Sequence, residues 1–147
     1  MGQLSRILQY RECICGVQRI MSPVPMISIV DDDDALRHSL DDLIRSIGFR
    51  TRGFASAEAF LNSTELHSTA CLILDVRMPR VNGLDVQRNI IAANLRIPII
   101  FITAHADNGA REQAMKAGAV AFLYKPFHEQ DLVDAIAMAL KNSRGGP

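Results

Sequence analysis

Four aspartates in a row, Asp31 to Asp34, follow directly on the apolar run Met26 to Val30, and Asp75 ends a second run within Ala70 to Val76. Two further runs end in a hydroxyl, Thr103, and lead into a cation, Lys125. Adjacent carboxylates repel one another unless a cation holds them or water screens them. Helix capping accounts for part of the run, because acids at a helix start accept orphan amide hydrogens and face the positive end of the dipole. Asp33 and Asp34 suit that role, with Asp34 the expected N-cap. Asp31 and Asp32 precede the helix and join Asp75 in an all-oxygen set, which suits a hard divalent cation that keeps several waters; Mg²⁺ fits best. A carboxylate attacks phosphorus poorly unless negative charge on the transferring group is neutralised, and a cation bridging both partners does that. Asp75 is therefore the expected acceptor of a phosphoryl group, with Lys125 and Thr103 as donors to its oxygens. Each residue also has a plain reading: the acidic run as a solvated cap, Lys125 as a loop residue before Pro126, Thr103 as a strand terminus. The case for chemistry rests on their joint placement.

The elements that must position these groups follow from the apolar pattern. MISIV at 26 to 30 is a β-branched run of strand length. Leu36, Leu40, Leu43, Ile44 and Ile47 recur at helical spacing ahead of Gly48, predicting a helix over about 34 to 47. Phe49 to Phe54 reads as extended, with Ser56 as N-cap of a short helix carrying Phe60 and Leu61. ACLILDV, the breaker MPRVNG and a helix over about 83 to 94 repeat the pattern. PIIFIT precedes a helix over about 108 to 117 that closes on Gly118, and Ala119 to Tyr124 makes a fifth strand. Asp131 to Lys141 carries Leu132, Val133, Ile136 and Leu140 on one face. Five strands alternating with five helices imply an α/β, doubly wound parallel sheet covered on both faces, with ligands expected beyond the carboxyl ends of its strands.

Composition narrows the function. The chain has 147 residues, enough for one ordinary core and short for two. Sixteen basic and sixteen acidic residues cancel, which removes the usual electrostatic drive toward nucleic acid, so no direct nucleic-acid contact is expected. Cys13, Cys15 and Cys71 read as reduced thiols, since Cys13 and Cys15 lack nearby metal-ligand partners. The longest apolar runs fall far short of the roughly 20 residues a membrane span needs. The charges within residues 1 to 20 break any signal-peptide core, so a cytoplasmic location is expected.

VDDD at 30 to 33, LILDVRMP at 72 to 79, Asn82-Gly83, FITAH at 101 to 105 and FLYKPF at 122 to 127 resemble the response-regulator receiver family over residues 26 to 141. The resemblance is closest to receivers that precede a helix-turn-helix output domain, and here a single-domain regulator without one is expected. It implies a flavodoxin-like sheet in the order 2-1-3-4-5 with five helices. It implies Mg²⁺ held by Asp32, Asp75 and the backbone carbonyl of Arg77, with Asp31 acting largely through water. Asp75 would accept the phosphoryl group from a phosphohistidine of a sensor histidine kinase or a histidine phosphotransfer protein. Lys125 would pair with the phosphoryl oxygens, and the peptide before Pro126 would be cis. Thr103 would move toward the phosphoryl group and Phe122 would turn inward behind it, although Phe122 fits equally as a half-buried strand residue. The output would be a changed surface of helix 4, strand 5 and helix 5, offered to a downstream protein or to a second copy in a homodimer. Such a module is a signalling phosphoacceptor, catalysing only its own phosphorylation and dephosphorylation.

Some positions depart from the pattern. Ala121 stands where many relatives carry an acid, which weakens any dimer contact built on that charge, and Arg77 and His105 flank the acceptor at positions that tune acyl-phosphate lifetime in relatives. Residues 1 to 25 match nothing in the family, reading as a flexible extension or a misassigned start, with Met21 or Met26 as the alternative first residue; 142 to 147 read as a flexible tail. Two other classes stay open. A phosphohydrolase could use Asp31 as nucleophile and Asp33 as acid, but no segment is long enough to form the lid such enzymes need. A phosphorylation-independent interaction domain would keep the fold and leave the site unused.

Overall fold

The computed structural model describes residues 24 to 105 and 107 to 145. Its strands are β1 (Met26–Val30), β2 (Arg50–Phe54), β3 (Thr69–Asp75), β4 (Ile99–Thr103) and β5 (Ala121–Tyr124). Its helices are α1 (Asp34–Ser46), α2 (Ala57–Leu61), α3 (Gly83–Ala92), α4 (Asn108–Lys116) and α5 (Glu129–Gly145), with a 3-10 turn at Leu66–Ser68. All strand pairs are parallel, in the order β2-β1-β3-β4-β5. The strand order therefore reverses between β1 and β3, the place where an open α/β sheet leaves a crevice. Val30 pairs with Leu74, so the next residues, Asp31 and Asp75, emerge level with each other at that crevice.

Period-2 alternation sorts the strand side chains into two cores. Ile27, Ile29, Cys71, Ile73, Ile100 and Ile102 pack with Leu40 and Ile44 of α1 and with Leu132, Ile136 and Leu140 of α5. Leu72, Leu74, Phe101 and Phe122 pack with Phe60 of α2, Val86 and Ile90 of α3, and Ala110 and Ala114 of α4. The same alternation, continued one step past each strand, fixes which core the site residues share. Asp31, Asp75 and Lys125 are in step with the α1/α5 side, Thr103 with the other.

Helix ends are fixed by local chemistry. α1 stops at Gly48, whose φ of 102° is open to glycine; its amide donates to Arg45 O and that of Phe49 to Ile44 O. Two expectations need correction. The N-cap of α1 is Asp33, whose carboxylate accepts from the Leu36 amide at 3.2 Å, while Asp34 is the first helical residue and pairs with Arg37. α5 is longer than expected at both ends and runs on to Gly145, so residues 142 to 145 of the expected tail continue the helix, while 146 to 147 lie outside the described residues. The apolar face ends at Leu140, and the extra turn is polar, which is why periodicity alone could not extend the helix. The proposed extension lies outside the described residues except for Val24 and Pro25. Their carbonyls accept from Arg50 Nε at 2.8 Å and the Arg50 amide at 3.2 Å.

Candidate functional site

Three strand ends deliver the site. Asp31 is fully buried and Asp75 nearly so, while Asp32 is exposed. One oxygen from each of these three carboxylates can be chosen so that all lie within 4.8 Å of one another. Lys125 Nζ donates to Asp31 Oδ2 at 3.0 Å and stands 3.6 Å from Asp75 Oδ2. The lysine is delivered by a cis Lys125–Pro126 peptide and by its own amide, which donates to Thr103 O at 2.7 Å. Asp31 Oδ1 accepts from the Asp33 amide at 2.8 Å, and Asp75 Oδ1 from the Arg77 amide at 3.2 Å. Each carboxylate thus has one oxygen tied to its own loop and one facing the lysine.

The electrostatics leave this cluster short of positive charge. Burial pushes the Asp75 carboxyl up to about 6 from the usual 3.8, the Asp31 and Asp32 charges add to the rise, and Lys125 and the Arg77 amide oppose it. Burial pulls Lys125 down, but the hydrogen bond and charge of Asp31, helped by Asp75, outweigh it and hold the ammonium above its ordinary value. Three carboxylates facing one ammonium, all with oxygen donors, fit a hard divalent cation such as Mg²⁺.

Thr103 is buried at the end of β4, where its hydroxyl accepts from the His105 amide at 3.1 Å. Phe122 is buried as well, not half-exposed. It lies against Phe101 and Tyr124 at ring-centroid distances of 5.9 and 5.5 Å. Thr103, Phe101 and Phe122 therefore form one group on the α2–α4 side of the sheet. Arg77 sits in the loop after β3, bridged to Asn82, with its guanidinium 3.9 Å from Asp107 at the start of α4.

Sequence reasoning named Gly83 only within a motif, without a role, and did not single out Arg37. Gly83 is required because a Cβ there would lie 2.5 Å from the Asp75 carbonyl oxygen and 3.0 Å from Val76 Cα. Its only sequence sign is a glycine directly after the helix-capping Asn82. Arg37, one turn into α1, donates from Nη1 to Asp31 O at 2.7 Å and ion-pairs with Asp34. Nothing in its spacing separates it from an ordinary surface arginine. Beside Lys125, Leu36, Leu40, Leu43, Pro126 and Phe127 line a groove of about 400 Å³.

Residues 27 to 137 match the response regulator receiver domain family, and the chain belongs to that family. It is 50% identical over 126 residues to the response regulator protein TmoT of Ectopseudomonas mendocina, covering 86% of this chain and 57% of that protein. It is 46% identical over 119 residues to Nodulation protein W of Bradyrhizobium diazoefficiens, covering 81% and 52%. The chain thus spans little more than half the length of these curated relatives. Among solved structures, FixJ-N superposes with a TM-score of 0.74 at 36% identity, covering 82% of this chain and 96% of that one. The response regulator StyR superposes at 0.75 and 42% identity, covering 84% and 62%. Receivers of this family are signalling phosphoacceptors, phosphorylated on aspartate by histidine kinases with Mg²⁺ in an acidic pocket. Among the described residues no helix is long and apolar enough to cross a membrane.

Proposed function

We propose that Asp75 accepts the phosphoryl group in this chain, and that the domain relays a kinase signal by changing the surface it presents to a partner. The observation that carries the reading is the placement of Asp75: buried, beside Asp31 and Asp32, with Lys125 Nζ 3.6 Å from its Oδ2. Asp32, Asp75 and the Arg77 carbonyl would hold Mg²⁺, with Asp31 acting through water. The ion would supply neutralising charge between the carboxylate and the incoming phosphoryl oxygens. Lys125 and the Thr103 hydroxyl hold the remaining oxygens, and Asp75 attacks phosphorus as the donor imidazole leaves. Hydrolysis of the resulting acyl phosphate resets the domain.

The donor is a sensor histidine kinase or histidine phosphotransfer protein in the cytoplasm, and the apolar groove beside Lys125 offers such a partner a surface next to Asp75. When the Thr103 hydroxyl leaves the His105 amide for the phosphoryl group, the packing of Phe122 behind it changes. α4, β5 and α5 then present an altered face to a downstream protein or a second copy. A phosphoryl group that binds this second arrangement better than the first is sufficient to shift the population. Intact-protein mass spectrometry after incubation with acetyl phosphate and Mg²⁺ tests the assignment. One added phosphoryl group in the wild type and none in Asp75→Asn is the expected result. Phosphorylation of Asp75→Asn, or an adduct lost only with Asp31→Asn, would move the acceptor elsewhere.

A further inference from the structure

Asp31 and Asp32 can share a cation only if the peptide joining them is held in one orientation, and the structure assigns that task to Arg37. We propose that Arg37 is a positioning residue for the metal-binding carboxylates and that Gly53 provides the space its side chain needs. The inference rests on the reading of Asp31, Asp32 and Asp75 as the metal site.

Asp31 sits where the sheet gives out. Its amide still donates to Phe54 O at 3.1 Å, but its carbonyl points past the last paired residue of β1. Arg37 Nη1 takes up that carbonyl at 2.7 Å, while Nη2 is anchored by the Asp34 carboxylate. The Arg37 side chain is only 18% exposed. Its stem lies across β2 at Gly53, where a Cβ would already meet Arg37 Cδ at 3.4 Å and Cγ at 3.6 Å. The Asp33 amide fixes Asp31 Oδ1 from the other side at 2.8 Å. The peptide plane between Asp31 and Asp32 is therefore held from its carbonyl, and the Asp32 side chain, which makes no hydrogen bond of its own among the described residues, inherits its direction from that plane. A guanidinium reaches the carbonyl and the carboxylate from two nitrogens set apart in a fixed planar fork, whereas the three donors of an ammonium radiate from one atom and cannot span the same two acceptors in that geometry.

The sign of the effect separates this role from simple electrostatics. A guanidinium near a cation site repels the cation, so by charge alone its removal would tighten Mg²⁺ binding. A positioning role predicts the opposite, since loss of a group that orients metal ligands typically weakens affinity by about 10- to 100-fold. The experiment is a calorimetric Mg²⁺ titration at fixed ionic strength on the wild type, Arg37→Ala, Arg37→Lys and Gly53→Val, with folding checked by circular dichroism. Arg37→Ala and Arg37→Lys are both expected to raise the Kd about tenfold, and Gly53→Val, which crowds the stem while keeping the charge, several-fold. Tighter binding in Arg37→Ala, or unchanged Kd values with only a lowered Tm, overturns the inference while leaving the metal site standing. A wild type that binds no Mg²⁺ removes the metal site and this inference together.

Discussion

The two faces of the sheet are built differently. On one side α1 and α5, of 13 and 17 residues, lay continuous aliphatic stripes over Ile27, Ile29, Ile73, Ile100 and Ile102. α5 alone buries Leu132, Val133, Ile136 and Leu140. On the other side α2, α3 and α4 have 5, 10 and 9 residues, and α4 buries only Ala110 and Ala114. Burial contributes roughly in proportion to apolar area, so α4 is held far more weakly than α5. Asp31, Asp75 and Lys125 stand in step with the strongly held side, Thr103 and Phe122 with the weakly held one. Under the proposed function, the arrangement would set acceptor chemistry on a firm base and place the groups expected to respond beside a weakly held helix.

The largest expected effect tests the firm side. Ile136→Ala removes a fully buried side chain and is expected to cost about 3 kcal/mol in global unfolding, whereas Ala114→Gly in α4 is expected to cost about 1 kcal/mol. Urea titration of both variants gives the comparison. Equal losses would erase the contrast between the faces.

Next comes Asp75, the proposed acceptor. The folded pKa of Asp75 is raised to about 6 from 3.8, so its ionised form costs roughly 3 kcal/mol above pH 6, and that cost fades as pH falls toward 4. Asp75→Asn is therefore expected to be more stable than wild type at pH 7.5 in the absence of divalent cation, by roughly 2 to 3 kcal/mol, with the gain shrinking at pH 5. Denaturant curves at the two pH values decide it; a gain independent of pH would assign the effect to something other than the buried charge.

A smaller effect probes the α3–α4 brace. Gln87 is buried and its Nε2 donates to Ala114 O at 3.0 Å, but that carbonyl also accepts from the Ala119 amide at 3.0 Å. Gln87→Leu leaves the carbonyl satisfied, so a cost of about 1 kcal/mol is expected, with hydrogen exchange accelerated in α4 and unchanged in α5. Exchange that speeds up equally in both helices would mean they unfold as one unit. Smallest is Arg80→Gly. Arg80 has a φ of 74°, in the left-handed region, in the loop after β3. Relief of that conformation, offset in part by the entropy a glycine adds to the unfolded chain, is expected to stabilise the protein by about 0.5 kcal/mol, read as a small Tm increase.

Much of this was legible in the order of residues because the strands are nearly continuous apolar runs that end in polar groups. ACLILDV announces both the length of β3 and the place of Asp75, and the same logic marks Asp31 and Thr103. Boundaries resisted where the governing group is polar. Asp33 and Asp34 are equally good caps by type, and only the backbone, extended at Asp33 and helical at Asp34, makes Asp33 the acceptor of the Leu36 amide. α5 outlasts its apolar face and gave no periodic sign of doing so.

By itself the sequence determined the βα alternation, the two-sided cores and the residue types arriving at the strand ends, since strand and helix periodicities are local properties of the chain. Tertiary structure decided which of those ends meet. The β2-β1-β3 order sets Asp31 level with Asp75, though they are far apart in the chain, and the β5 edge brings Lys125 Nζ within 3.0 Å of Asp31. It also decided the parts played by Gly83 and Arg37, because a missing Cβ behind Asp75 and a guanidinium over Gly53 have meaning only once another strand lies against them.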